Sequence, residues 1–222
     1  MFAILIDDGG ASVYAARDPL GIKPLFYGIN NRGETWFASE VCALAEHCSE
    51  ILSVPPGHYW HAGSLHAYYT PRWLPAPASY VQPREDTIAG ALRRAVRSHL
   101  IADPEIRFGV FLSGGVDSSV LAAILVQMGV AVRAFTVGME DSREMDKARM
   151  VAQRLGMPQT ELVITMEMAL AALPAVARRL ESYSAALCFD GIPQYLRYEE
   201  AARQGIRVMF TGEGADEIFG GY

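Results

Sequence analysis

The chain has 222 residues, about half of them apolar (51%), with a net formal charge of −6 and 3 cysteines. That length and composition allow one or two domains with a sizeable core, while the acidic balance and the lack of a basic cluster argue against a nucleic-acid partner. No apolar run approaches the roughly 18 residues of a membrane span and the short apolar start lacks a basic leader, so a cytoplasmic protein is expected. Cys42, Cys48 and Cys188 form no CxxC pair, so neither a disulfide framework nor a zinc site is indicated, and each is expected to be a small buried apolar residue.

In chain order, residues 1–73 read as short β pieces, at Phe2 to Ile6, Ser12 to Ala16, Thr35 to Ala38, His58 to His61 and Leu65 to Thr70. Asp-Gly-Gly, Asn-Asn-Arg-Gly and Pro-Pro-Gly turns separate them, and one helical segment, Glu40 to Glu46, interrupts them. Residues 74–84 contain three prolines and few large aliphatic residues, the composition of a linker on the surface. From 85 to 222 the pattern alternates. Helices are predicted at Asp86 to Ala102, Ser118 to Met128, Met145 to Leu155, Met166 to Leu180 and Pro193 to Gln204, and strands at Ile106 to Leu112, Val132 to Val137, Glu161 to Ile164 and Arg207 to Phe210. Strands separated by helices predict an α/β domain with a doubly wound parallel sheet covered on both faces.

The most informative segment is Ser113-Gly114-Gly115-Val116-Asp117-Ser118-Ser119, between the apolar run Val110-Phe111-Leu112 and the helical run Val120 to Met128. Two glycines let the backbone turn tightly and approach an anion, and the first N–H groups of the following helix point at it. Ser113, Ser118 and Ser119 add hydroxyl donors. Asp117 repels a phosphate unless a hard cation lies between them, so magnesium is implied. The segment is not the GxxxxGK[ST] loop, whose lysine reaches the β- and γ-phosphates. It suits a pyrophosphate leaving group, with attack at the α-phosphorus of ATP. An ordinary Gly-Gly turn capping a helix is the plain alternative.

A second glycine-rich acidic loop, Thr211-Gly212-Glu213-Gly214-Ala215-Asp216-Glu217, follows the Arg207 strand. In a doubly wound sheet, loops at the carboxyl ends of strands meet at the topological switch point. If the Arg207 strand lies beside the Ile106 strand, both loops face one crevice. Asp117 and Asp216 then share a magnesium ion, and Glu213 positions or deprotonates a nucleophile. Carboxylates that close repel one another without a cation. A solvated turn opening a helix is the alternative, since acids suit its first turn.

Other candidates carry less chemistry. His47, His58, His61, His66 and His99 show no metal-ligand spacing with the acids. Trp36, Trp60 and Trp73 read as core or subunit-contact residues. Glu144 and Asp146 read as a charged first helical turn.

The paired segments SGGVDSS at 113–119 and GEGADEIFGGY at 212–222 resemble the signatures of glutamine-hydrolysing asparagine synthetases. Arg17-Asp-Pro-Leu-Gly-Ile-Lys-Pro-Leu-Phe-Tyr27, Phe37-Ala-Ser-Glu40 and Pro55-Pro-Gly-His-Tyr59 add three further matches. The resemblance implies part of an N-terminal-nucleophile (αββα) glutaminase domain over 1–73, a linker at 74–84, and part of an ATP pyrophosphatase, or synthetase, domain over 85–222. It implies an ATP- and magnesium-dependent ligase that adenylates the aspartate side chain, after which ammonia derived from glutamine displaces AMP; a homodimer is left open. Position by position, it implies that Ser113, Gly114, Gly115, Asp117, Ser118 and Ser119 hold pyrophosphate, with Asp117 and Asp216 on magnesium. Phe111, Leu112, Val137, Thr211 and Gly212 match nucleotide-binding positions, Glu213 matches an acid that assists ammonia attack, and Asp216 a second acid of that loop.

The departures are equally specific. The family's glutaminase has a cysteine just after the initiator methionine, where this chain reads Met1-Phe2, so glutamine hydrolysis is not expected of it. The resemblance implies that the nucleophile lies upstream and that a helical remainder with a pyrophosphate-neutralising lysine lies downstream, so a fragment is expected. Ser184 and Phe189 stand where many members carry Asp and Arg in the aspartate segment. Glu181, Tyr183 and Asp190 are either substrate contacts or a surface helix end. Relatives that adenylate other carboxylates, such as β-lactam synthetases and lasso-peptide cyclases, and a catalytically silent truncated paralogue or interaction protein, remain the alternatives.

Overall fold

In the first of two compact units, residues 1–81, period-two patterning and frequent turns produce short antiparallel strands. The computed structural model describes residues 1–10, 12–71, 84–100, 103, 105–140 and 142–221. The strands are β1 (Ala3–Asp7), β2 (Val13–Arg17), β3 (Phe26–Asn30), β4 (Thr35–Ala38), β5 (Cys48–Ser53), β6 (His58–His61) and β7 (Ser64–Ala67), with one helical turn, α1 (Cys42–Ala45). They form two sheets, ordered β1-β2-β6-β7 and β4-β3-β5. Ala15, Leu25 and Val54 are fully buried in one cluster that Tyr27, Phe37 and Trp60 complete. Phe37 of one sheet meets Trp60 of the other edge to face, with ring centroids 5.1 Å apart.

Strands β3 and β5 are absent from the sequence-based reading. Gly28 interrupts the pattern of β3, yet a Cβ at that position would lie 2.7 Å from the Glu50 carbonyl oxygen of β5. Glycine lets the two strands close, as it does wherever another backbone approaches. Cys48 is buried, as expected, but Cys42 is exposed. The Arg17-Asp18 segment is a polar knot. Asp18, 2% exposed, accepts backbone N–H bonds from Phe2, Leu20, Ile22 and Lys23 at 2.9–3.3 Å. Arg17 donates to the carbonyls of Gly21, Lys23 and Val54 at 2.8–2.9 Å.

The second unit, residues 82–222, is built as the alternating pattern predicts. Its elements are α2 (Glu85–Ser98), β8 (Arg107–Phe111), α3 (Val116–Gln127), β9 (Val132–Gly138), α4 (Arg143–Leu155), β10 (Gln159–Val163), α5 (Met166–Leu180), α6 (Ala185–Arg203), β11 (Ile206–Phe210) and α7 (Ala215–Phe219). The strands form one parallel sheet ordered β10-β9-β8-β11. Successive side chains at the end of β8 and just beyond it serve opposite faces: Val110 and Leu112 join the core under α2, α3 and α4, and Phe111 packs with Phe135, Ala201 and Ile206 on the α6 side. Because β9 and β10 extend the sheet to one side of β8 and β11 to the other, the switch point lies between β8 and β11.

Helix α6 starts eight residues before the predicted Pro193. Gly191-Ile192-Pro193 reads as a helix breaker, but a Cβ on Gly191 would meet Val176 at 2.9 Å and Leu180 at 3.0 Å. The glycine lets α6 lie close on α5, and packing keeps the helix continuous through the proline. The predicted linker, apart from Arg84, and Trp73 fall outside the described residues.

Candidate active site

Beneath the first loop, a buried hydroxyl fixes the end of β8. Thr136 of β9, 2% exposed, donates to the Leu112 carbonyl at 2.8 Å and accepts from the Gln159 amide at 2.8 Å. The chain then turns at Gly114, whose φ of +78° is the left-handed conformation that glycine adopts without strain. A Cβ there would also lie 2.5 Å from Lys147 Cβ and 2.6 Å from the Ala148 nitrogen, so this residue lets the loop seat against α4. Gly115 differs. A Cβ on it would meet only Ser113 Oγ, at 3.4 Å, so the protein itself has room for a side chain that the cleft would lose.

Gly115 is the N-cap of α3 and supplies no side-chain bond, leaving the first-turn N–H groups directed outward. The hydroxyls stiffen the loop. Ser118 Oγ accepts from the Ser113 amide at 3.2 Å and lies 3.0 Å from Ser113 Oγ. Ser119 Oγ donates to the Gly115 carbonyl at 2.6 Å.

The second loop leaves β11 at Phe210. Thr211 Oγ1 accepts the Glu213 amide at 2.9 Å, Gly214 takes a φ of +91°, and α7 then begins at Ala215. A Cβ on Gly212 would lie 3.2 Å from Asp117 Cβ and 3.4 Å from the Ser118 nitrogen. The two loops therefore touch at the switch point. They line a cleft of about 200 Å³ with Phe111, Ser113, Gly115, Asp117, Ser118, Thr211, Gly212, Glu213, Asp216 and one further residue, Arg197 of α6.

Arg197 was not anticipated from the sequence. Its guanidinium stacks on the Phe111 ring, 3.9 Å from the centroid, and Tyr198 meets the same ring edge-on at 4.7 Å. Glu213 Oε1 lies 3.8 Å from the guanidinium, too far for a hydrogen bond. Burial lowers the Arg197 pKa below its ordinary value, against the opposing pull of Tyr198 and Glu213. Burial, then the Glu213 charge, raises that of Tyr198. The available sequence signal was Arg197 lying on a helix whose other face is apolar, which also describes a surface residue.

Nine predicted residues therefore line one cleft, and four do not. Leu112 is 1% exposed and belongs to the core. Gly114 and Ser119 shape the loop from behind, and Val137 packs with the cluster between α5 and α6. Tyr183, 99% exposed, and Phe189, 77% exposed, lie on the surface, as do Glu181 and Asp190. Among the described residues no group of three or more His, Cys, Asp and Glu is placed to hold a metal, and no helix is long and apolar enough to cross a membrane.

Comparison with known proteins agrees with this architecture. The family model described as Asparagine synthase matches residues 87–222, and one described as Glutamine amidotransferase domain matches residues 1–100. The whole chain is 34% identical over 237 residues to asparagine synthetase [glutamine-hydrolyzing] 2 of Arabidopsis thaliana, of which it covers 40%. It is 33% identical over 235 residues to asparagine synthetase [glutamine-hydrolyzing] 2 of Oryza sativa subsp. japonica, of which it covers 39%. It is 31% identical over 243 residues to a probable asparagine synthetase of Dictyostelium discoideum, of which it covers 43%. The chain thus spans about two fifths of the length of these relatives.

Proposed function

Because this chain belongs to the asparagine synthase family, we propose that its cleft is the adenylating site of an ATP-dependent amide-forming ligase acting on the side-chain carboxylate of aspartate. One observation carries the reading. Gly212 of the acidic loop sits directly against Asp117 and Ser118 of the glycine-serine loop, so an anion at the first turn of α3 and a nucleophile beside Glu213 would share one cleft.

In this reading the α3 N–H groups and Ser113 hold the β- and γ-phosphates, and Gly115 gives them close access. Phe111, Thr211 and Gly212 border the nucleotide. Asp117 and Asp216 line the cleft from opposite loops and carry carboxylate oxygens. These are the hard donors that magnesium takes one or two at a time, alongside phosphate oxygens and water; when bound, the ion neutralises charge on the leaving pyrophosphate.

A carboxylate oxygen of the acceptor attacks the α-phosphorus, the bond to the bridging oxygen breaks, and pyrophosphate leaves with the electron pair. Ammonia then attacks the acyl carbon, AMP leaves, and the ammonium proton passes to Glu213 or to water. One difficult displacement becomes two easier ones. For the whole protein, the match of residues 1–100 to a glutamine amidotransferase domain supports glutamine as the ammonia source.

Isotopic exchange between labelled pyrophosphate and ATP, with magnesium, tests the reading. Exchange that requires aspartate is the expected outcome. Exchange that requires a different carboxylic acid would reassign the acceptor, and a folded sample showing none with any acid would overturn the reading for this chain.

A further inference from the structure

Arg197 is the one basic residue among those lining the cleft, and three acids, Asp117, Glu213 and Asp216, line it too. Its charge is poorly compensated. Among the described residues its guanidinium takes part in no hydrogen bond, its single ion pair is the 3.8 Å contact with Glu213, and its Nε is buried without a partner. The Glu213 side chain is itself 63% exposed, so water screens that contact. Leaving the charge of a side chain that is only 19% exposed without a bonded partner is costly. The cost is one that a ligand can recover.

The geometry suits an incoming carboxylate. The Arg197 Cζ lies over the Phe111 ring at 3.9 Å from its centroid, a contact that consumes none of the guanidinium N–H donors, and a planar carboxylate can accept two parallel bonds from such a group. Phe111 of β8 lies against the group and is itself held by Tyr198 of α6, so little side-chain freedom remains to be lost on binding. The phosphate side of the cleft already has its own donors in the α3 first turn. On the Glu213 side, Arg197 is the one cationic donor among the residues lining the cleft.

We propose that Arg197 is the acceptor-binding residue of this cleft, its guanidinium receiving a carboxylate of the substrate that the ligase activates. The proposal rests on the ligase reading for the words "acceptor" and "activates", but the anion receptor can be measured without turnover. Glu213 then exchanges a loose contact with Arg197 for a place beside the acceptor, and the three acids of the cleft do not repel an anionic substrate because Arg197 compensates it.

The experiment measures binding of aspartate and of succinate by calorimetry to the full chain with magnesium and α,β-methylene-ATP, which cannot transfer its adenylyl group. The wild type is compared with R197Q, R197M and R197K, and nucleotide affinity is measured separately in each. Loss of aspartate affinity by at least tenfold in R197Q and R197M, partial recovery in R197K and nucleotide affinity within threefold of wild type are expected. If nucleotide affinity falls instead while acid binding holds, the anion is a phosphate and the assignment is overturned. Equal acid binding by wild type and both neutral variants, or no binding of either acid by wild type, also overturns it. Arg197-dependent acid binding in a protein that shows no pyrophosphate exchange would leave the receptor standing and remove the ligase reading alone.

Discussion

The guanidinium of Arg197 rests 3.9 Å from the centroid of the Phe111 ring, so the last residue of β8 and the middle of α6 are joined by a cation on an aromatic face. Tyr198, the next residue along the helix, meets that ring edge-on. One aromatic side chain thereby fixes the α6 wall of the cleft to the strand that carries the glycine-serine loop. A Phe111→Leu change removes both contacts while keeping the site apolar. It is expected to lower stability by about 1–3 kcal/mol, read as a lower unfolding temperature, and an unchanged melt would contradict the role given to the ring.

The two glycines of the first loop are expected to fail differently. Gly114→Ala places a Cβ on Lys147 and Ala148 at a left-handed φ, and should destabilise the fold by roughly 2–4 kcal/mol. Gly115→Ala has room within the protein and should change stability by less than about 1 kcal/mol, while weakening magnesium-ATP binding at least tenfold. Denaturant titration and nucleotide titration of both variants separate the outcomes. Equal nucleotide affinity in Gly115→Ala would remove this loop from the site.

Asp117→Asn and Asp216→Asn are expected to reduce ATP affinity only when magnesium is present. The amide has similar size but a weaker pull on a hard cation. Titrations with and without the ion make the comparison, and a loss of equal size in both would assign the carboxylates a structural part instead.

Thr136→Val keeps shape and removes the hydroxyl that donates to the Leu112 carbonyl and accepts from Gln159. The buried Leu112 carbonyl and the half-buried Gln159 amide lose their partner, with an expected cost of about 2–4 kcal/mol. Hydrogen exchange should show the end of β8 opening more readily, and unchanged protection there would contradict the role of this hydroxyl.

The Asp18 carboxyl gives a pH dependence. Burial alone would raise its pKa, but backbone N–H bonds from Lys23, Ile22, Leu20 and Phe2 outweigh burial and hold it below its ordinary value of 3.8. The folded form therefore binds this proton less readily than the unfolded form. Its contribution is fully present above the unfolded value and is lost as pH falls through the lower folded one. Denaturant midpoints of wild type should drop more steeply below about pH 4 than those of Asp18→Asn, which starts lower at neutral pH. Parallel curves would show that Asp18 carries no such linkage.

The parallel sheet and both loops were legible in the sequence because periodicity and glycine-rich acidic turns are local, whereas the strand order β10-β9-β8-β11 was decided by the tertiary structure. Alternating helix and strand runs require a covered parallel sheet, and Ser113 to Ser119 together with Thr211 to Asp216 supply the loops at its switch point. Sequence alone did not find β3 and β5, where Gly28 interrupts the local pattern but opens the space that Glu50 occupies. Nor did it mark Gly191-Ile192-Pro193 as the middle of a helix, since contact with α5 overrides the local signal. It did not separate Gly114 from Gly115, or Leu112 from Phe111, because which neighbour faces the cleft depends on strand pleat and on what packs behind the loop. Arg197 was the largest omission. Fourteen residues before Thr211 in sequence, it reaches the cleft only because α6 folds back along β11 and sets its guanidinium on Phe111, a meeting of distant residues that packing alone decides.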